Sequence, residues 1–304
     1  MRCGRYLGTL TTVVALEASS SMAAPQKVEA SEVRSGTTSA APSAADDGDT
    51  SLWDPSWRRV SPAEVVIGGA LLTGTVATLL LVRLPESPRW TGGILMDDWF
   101  RDRLGAKTER GSLRAQTVSD VAYYSLVAYA LVDPTIASLA HGWHVGGQVM
   151  GINLLAMSTA AFPLVALERM VGRERPGGDT DSFPSGHTGM AFASATLTCV
   201  HHSRMPLYGG GVPEIINCAT ALAAATTTGA ARMVGNRHWS TDVAVGATVG
   251  IASGYLIPTL LHYDAEASRD ETRSERAQPG LIFRGSPYPV LSRDTLGLGY
   301  VAAF

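Results

Sequence analysis

Two histidines in this chain stand in settings that suit chemistry on an anion. His187 ends the run Pro184-Ser185-Gly186-His187 at the head of an apolar stretch, and His238 precedes Asp242 by four residues. Pro184 suits the start of a helix, Ser185 can cap it, and Gly186 lets an anion approach the backbone amides at the positive end of the helix dipole. On a helix His238 and Asp242 would share a face, so the carboxylate could hold the imidazole in one tautomer and stabilise its positive charge. Arg175 and Arg232 add planar guanidinium donors that match phosphate oxygens. Two histidines, two arginines and a helix N-terminus describe phosphoryl transfer without a metal. The plainer readings are a surface ion pair or two metal ligands for His238 and Asp242, and an interfacial anchor for Arg175.

The elements that must carry these residues are apolar. Of 304 residues 45% are hydrophobic and only 17% charged, a balance that points to a polytopic membrane protein. A helix needs about 20 apolar residues to cross a ~30 Å hydrocarbon core. Segments 65–82, 145–167 and 243–261 contain no charged residue and meet this need best. Segment 121–140 is interrupted by Asp133 and Pro134, 188–200 is short, and 215–231 is mostly Ala and Thr, so these three need shielding by neighbours. The expected fold is an all-α helical bundle of about six membrane helices, with a soluble helical bundle as the alternative. If the segments alternate in direction, the residues around Arg175, His187 and His238 fall on one side of it.

Outside this domain, taken as 63–263, residues 1–24 have the order of a secretory signal and 25–62 read as a flexible low-complexity tail. Residues 264–304 form a C-terminal packing tail whose "LGLGYVAAF" alternates like one short strand. Cys3, Cys199 and Cys218 suggest no disulfide framework, the latter two reading as small core residues. The pairs His141/His144 and His201/His202 read as loop residues at the interface, and Trp90, Trp99, Trp143 and Trp239 as an aromatic belt. The net charge of −3 excludes a basic nucleic-acid surface.

Three segments together, "ERMVGRERP", "PSGH" and "ARMVGNRHWSTD", span residues 168 to 242. In order and spacing they resemble the three-part motif of the type-2 phosphatidic acid phosphatase family, which also holds vanadium haloperoxidases and bacterial acid phosphatases. The resemblance implies that His238 attacks phosphorus, Asp242 orients it, and His187 protonates the leaving oxygen. It further implies that Arg175, Arg232, Ser185 and the Gly186 amide bind the phosphoryl oxygens, with no cofactor or metal.

Two positions depart from the pattern: Glu168 stands in the lysine slot and Ala231 in the serine slot. A carboxylate would repel phosphate there, and Arg169, turned ~100° around the helix, is the residue that can reach in its place. The implied substrate is a phospholipid, an isoprenoid phosphate or a diphosphate lipid, met in a bacterial inner membrane. A haloperoxidase or a non-catalytic headgroup-binding protein is the alternative. The basic loop Arg83, Arg89, Arg101, Arg103, Lys107, Arg110 and Arg114 points the site to the cytoplasm, whereas the family resemblance implies the periplasm. If Arg169 supplies the missing charge, Arg169→Ala lowers kcat/KM strongly and Glu168→Lys preserves or raises it. A kinetically silent Arg169→Ala would leave the site with two arginines.

Overall fold

A computed structural model describes residues 52–264 and two strands near the C-terminus. Seven α-helices run in the order α1 (Pro62–Leu81), α2 (Asp97–Leu104), α3 (Glu109–His141), α4 (Trp143–Val171), α5 (Gly186–Arg204), α6 (Val212–Val234) and α7 (Ser240–Pro258). A π-helical turn, Thr259–Tyr263, extends α7. Strands β1 (Gly285–Ser292) and β2 (Thr295–Ala302) pair antiparallel, so the expected lone strand is half of a hairpin. Its partner went unread because Pro287 and Pro289 break the strand signal. They stand two apart, so both missing N–H groups fall on the same edge of β1.

Among the described residues three helices are long and apolar enough to cross a membrane: α1, α4, and α7 with its π turn. They contain the three uncharged segments read from the sequence. The other three apolar segments are helical too, as α3, α5 and α6, while the short polar α2 had no sequence counterpart. On α1 the apolar side chains Val65, Val66, Ile67, Leu80 and Leu81 all point outward, which water would penalise and a bilayer would not. Segment 121–140 is not interrupted, since α3 runs through Pro134. Pro134 has no N–H for the carbonyl of Ala130 one turn back, and the Asn153 side chain of α4 donates to that carbonyl instead at 2.8 Å.

Helix α5 is the axis of the bundle and packs against α3, α4, α6 and α7. Its Ala, Ser, Thr and Gly residues are mostly buried, which is how a segment too short and polar for lipid is shielded. Gly246, Gly250 and Gly254 recur every four residues along the face of α7 that meets it. A Cβ at those positions would lie 2.4 Å from the Ser185 carbonyl oxygen, 2.0 Å from that of Gly189 and 2.7 Å from that of Ala193. The missing side chains let the two backbones touch.

At the end of the bundle where α5 finishes, His202 bonds Glu214 of α6 through Nδ1 and approaches Asp133 of α3 at 3.2 Å through Nε2. His201, fully buried, sits between Asn153 (2.8 Å) and the Tyr263 hydroxyl (2.5 Å). These two are therefore core residues and not loop residues at an interface. Cys199 and Cys218 are joined in a disulfide between α5 and α6, a pairing that the count of three cysteines did not suggest.

Residues 52–61, read as part of a flexible tail, are packed instead. Trp53 is buried against Trp57 and Tyr263, and the Arg58 amide donates to the His262 carbonyl at 3.0 Å. The signal-like residues 1–24 and the rest of the tail to residue 51 lie outside the described residues. Close α5–α7 contact predicts that Gly250→Ala lowers the thermal midpoint by several degrees and reduces any activity. Gly69→Ala, at a position with open space around it, should change neither.

Candidate active site

The α5 N-terminus, the α4–α5 loop and the α6–α7 turn meet at one end of the bundle. Gly172 closes α4 with a left-handed φ of 61°, as a helix C-cap requires, and turns the chain into the loop that carries Arg173 and Arg175. The motif side chains Arg175, Ser185, Arg232, His238 and Asp242 are all buried there. His238 feels the charges of Arg175 and Arg232 and lies near His187. The expected convergence of three distant segments therefore occurs.

Ser185 occupies the N-cap position of α5, but its hydroxyl pairs with Thr188 Oγ1 at 2.8 Å and caps no amide. Pro184 precedes the cap and is not the first helical residue. The first-turn amides are thus left without a side-chain acceptor at the positive end of the helix. Open space surrounds the Gly186 Cα, so the approach to them is clear. Buried guanidinium nitrogens add further free donors. Arg169 Nε, Arg175 Nη1 and Arg232 Nε have no hydrogen-bond acceptor. Arg175 is oriented by Asp181 (2.7 Å), and Glu168 lies within electrostatic reach of Arg169, Arg175, Arg232 and Asp181.

His238 stands ahead of α7, two residues before its first turn, so the shared helical face expected for His238 and Asp242 does not form. Its Nδ1 faces the Ser182 carbonyl at 2.6 Å. A carbonyl only accepts, so Nδ1 carries the proton and the Nε2 lone pair is left available. Burial, and then the Arg175 charge, hold the ring well below the usual histidine range and hence neutral. Asp242 reaches His238 only indirectly. Its Oδ2 accepts from the Ser182 hydroxyl (2.5 Å) and the Trp239 amide (2.8 Å), and its Oδ1 from Arg173 (2.5 Å).

Arg173 is fully buried and bridges two carboxylates, Asp242 and, at 2.7 Å, Asp97 of α2. Its guanidinium carbon lies 4.1 Å from the Trp90 ring centroid and 5.3 Å from that of Trp239. Those two tryptophans are cation–π partners of a buried arginine and not members of a membrane belt. Asp97 also accepts from the Thr241 amide (2.8 Å) and the Ser240 hydroxyl (2.6 Å) at the start of α7. Burial would raise its pKa, but the bonds from Ile94, Ser240, Arg173 and Thr241 prevail and hold it at about 2. His187 has a carboxylate neighbour after all: Asp120 of α3, at 3.5 Å. Among the described residues no group of three or more His, Cys, Asp or Glu is placed to hold a metal ion. An apolar cavity of about 480 Å³ between α2, α5, α6 and α7 is lined by none of the motif histidines or arginines.

Residues 164–266 match the family model of the PAP2 superfamily. The matched segment contains all three motifs of residues 168–242. Over 123 residues it is 38% identical to the lipid A 1-phosphatase of Porphyromonas gingivalis, a match covering 39% of this chain and 26% of that protein. The chain thus spans about a quarter of the length of that curated relative. Among solved structures it is similar to the PAP2-type phosphatidylglycerolphosphate phosphatase of Bacillus subtilis, with a TM-score of 0.40 and 15% identity over 72% of this chain and 96% of that one.

Within the PAP2 segment, sequence reasoning placed His187, His238, Arg175 and Arg232 together. It missed Arg173, although that residue sits inside the first motif, because nothing local separates a buried arginine from an interfacial one. Asp97, Asp120 and Ser182 carried no signal in the PAP2 pattern. Asp97→Asn removes one charge from the Arg173 bridge without touching the anion donors. It should lower kcat at least about tenfold while vanadate still binds, whereas Arg173→Met, leaving two buried carboxylates unpaired, should cost about 3–5 kcal/mol of stability. Wild-type kcat in Asp97→Asn would show that the bridge is merely structural.

Proposed function

We propose that this PAP2 protein is a metal-independent phosphatase that hydrolyses a lipid phosphate monoester or diphosphate through a phosphohistidine intermediate. The observation that carries the reading is the pair Arg175 and Arg232, whose charges act on a neutral His238 with Nδ1 turned to a carbonyl, and whose buried Nη1 and Nε have no hydrogen-bond acceptor. Donors without acceptors are costly to bury, and a phosphoryl group meets all of them.

The phosphoryl oxygens bind Arg175, Arg232, Arg169, Ser185 and the Gly186 amide. His238 Nε2 forms a bond to phosphorus as the bond to the leaving oxygen breaks, and His187 gives that oxygen its proton. Water then attacks the phosphohistidine, returning a proton to His187 and freeing phosphate and His238. Asp242 acts on His238 through Ser182 and Trp239 rather than by direct contact. A lipid substrate in a bacterial inner membrane, met by a six-helix domain, is supported by the apolar helices that flank the site and by the lipid phosphate named for the relative.

The two histidines carry different duties, so their variants should differ in substrate dependence. His238→Ala should be inactive on every substrate. His187→Ala should lose about 100-fold or more in kcat/KM on an alkyl phosphate, whose alkoxide needs a proton, and much less on p-nitrophenyl phosphate. Equal losses for His187→Ala on both substrates would remove its general-acid role. Activity should survive chelator and be inhibited by vanadate, and loss in EDTA with recovery on adding magnesium would overturn the mechanism.

A further inference from the structure

Asp120 belongs to none of the three motifs, yet its Oδ1 lies 3.1 Å from Arg232 Nη2 and 3.5 Å from His187 Nε2. One carboxylate oxygen thus sits at the point where a proposed phosphate ligand and the proposed acid converge. The backbone delivers it there: the preceding Ser119 is buried and bonds the Thr228 carbonyl of α6 at 3.3 Å, while Ser112 bonds the Gly235 carbonyl at 2.7 Å. Tyr123, one turn on, sets its ring 4.4 Å from that of His187. The side chain as a whole is 43% exposed, but Oδ1 itself is buried and makes no directional hydrogen bond.

We propose that Asp120 is the resident counter-ion of the phosphate cradle, seated where a phosphoryl oxygen of the substrate must bind and displaced when it does. The proposal rests on the phosphatase reading of this site. A carboxylate oxygen and a phosphoryl oxygen are alike in size and charge, and both seek the Arg232 guanidinium that Oδ1 already faces. Asp181 is different: it grips Arg175 Nη2 at 2.7 Å, while Nη1 has no hydrogen-bond acceptor and faces Asp179 at 3.5 Å, so Asp181 orients its arginine and occupies no point shared with His187. Asp120 is held by charge alone and has a solvent-facing side to swing toward. Two effects follow. The carboxylate weakens every anion that competes for Arg232, free phosphate included, which favours product departure. It also faces His187 Nε2 at 3.5 Å and positions that ring toward the leaving oxygen.

Asp120→Asn keeps the shape and removes the charge. Vanadate and inorganic phosphate should then bind at least fivefold more tightly, measured by titration calorimetry on the purified protein and as inhibition constants. In the same variant kcat should fall on an alkyl phosphate and far less on p-nitrophenyl phosphate, and Asp120→Glu should restore much of the wild-type behaviour. Unchanged or weaker vanadate and phosphate binding in Asp120→Asn overturns the proposal. The binding measurement does not depend on turnover, so wild-type protein that binds phosphate but hydrolyses no phosphoester would sink the phosphatase reading while leaving this test intact.

Discussion

A single guanidinium with no exposed surface, Arg173, is shared between Asp97 and Asp242, and the end of the bundle where the three motifs meet is arranged around it. Two carboxylates on one arginine leave a surplus negative charge in a buried place. That surplus lies at the N-terminus of α7, where the Thr241 and Trp239 amides and the helix dipole offset it. Each partner of the cluster fixes another piece of structure. Asp97 ties down α2, Trp90 and Trp239 box the guanidinium, and Asp242 holds Ser182. The Ser182 carbonyl in turn decides which nitrogen of His238 keeps its proton. The orientation of the histidine is thus set by a chain of contacts that begins at Arg173, two residues before the first motif's Arg-Pro pair, and at Asp97 on α2.

The bundle transmits this arrangement through contacts that need small side chains. Helix α7 can bring Asp242 beside the head of α5 only because Gly246, Gly250 and Gly254 admit the α5 carbonyls. The same closeness lets the Ser185 amide donate to the Asp242 carbonyl at 3.0 Å, joining the N-terminal end of α5 to the first turn of α7. At the opposite end the His202 cluster and the disulfide hold α3, α5 and α6 together. Polar groups therefore sit at both ends of an apolar middle, as expected of helices whose central stretch meets lipid.

The electrostatics of the cradle are more balanced than its arginines suggest. Asp181 faces Arg175, Asp120 faces Arg232, and Glu168 stands where the family pattern has a lysine. A site with unopposed positive charge would hold its product phosphate tightly. On the proposed reading the nearby carboxylates would lower that affinity, while the N–H groups without hydrogen-bond acceptors would keep directional recognition of the phosphoryl oxygens.

From the sequence alone, the helical segments and the set of motif residues that converge at one end of the bundle were legible. Runs of apolar residues fix helices by local propensity and burial, and a His, Arg or Ser carries its chemistry with it wherever it lies. The three uncharged segments became the three membrane-length helices, and the motif residues of 168–242 met at one end. The partners of those residues were decided only by tertiary structure. His238 and Asp242, four apart, looked like a direct pair, but the turn before α7 sends Nδ1 to a backbone carbonyl and Asp242 to Arg173. Trp90 and Trp239 looked interfacial until a buried cation was found between them, and Asp120 had no meaning until α3 lay against α6. Periodicity along a chain reports which faces are buried. Which charge neutralises which depends on distances between segments far apart in sequence, and on the desolvation that only the packed bundle imposes.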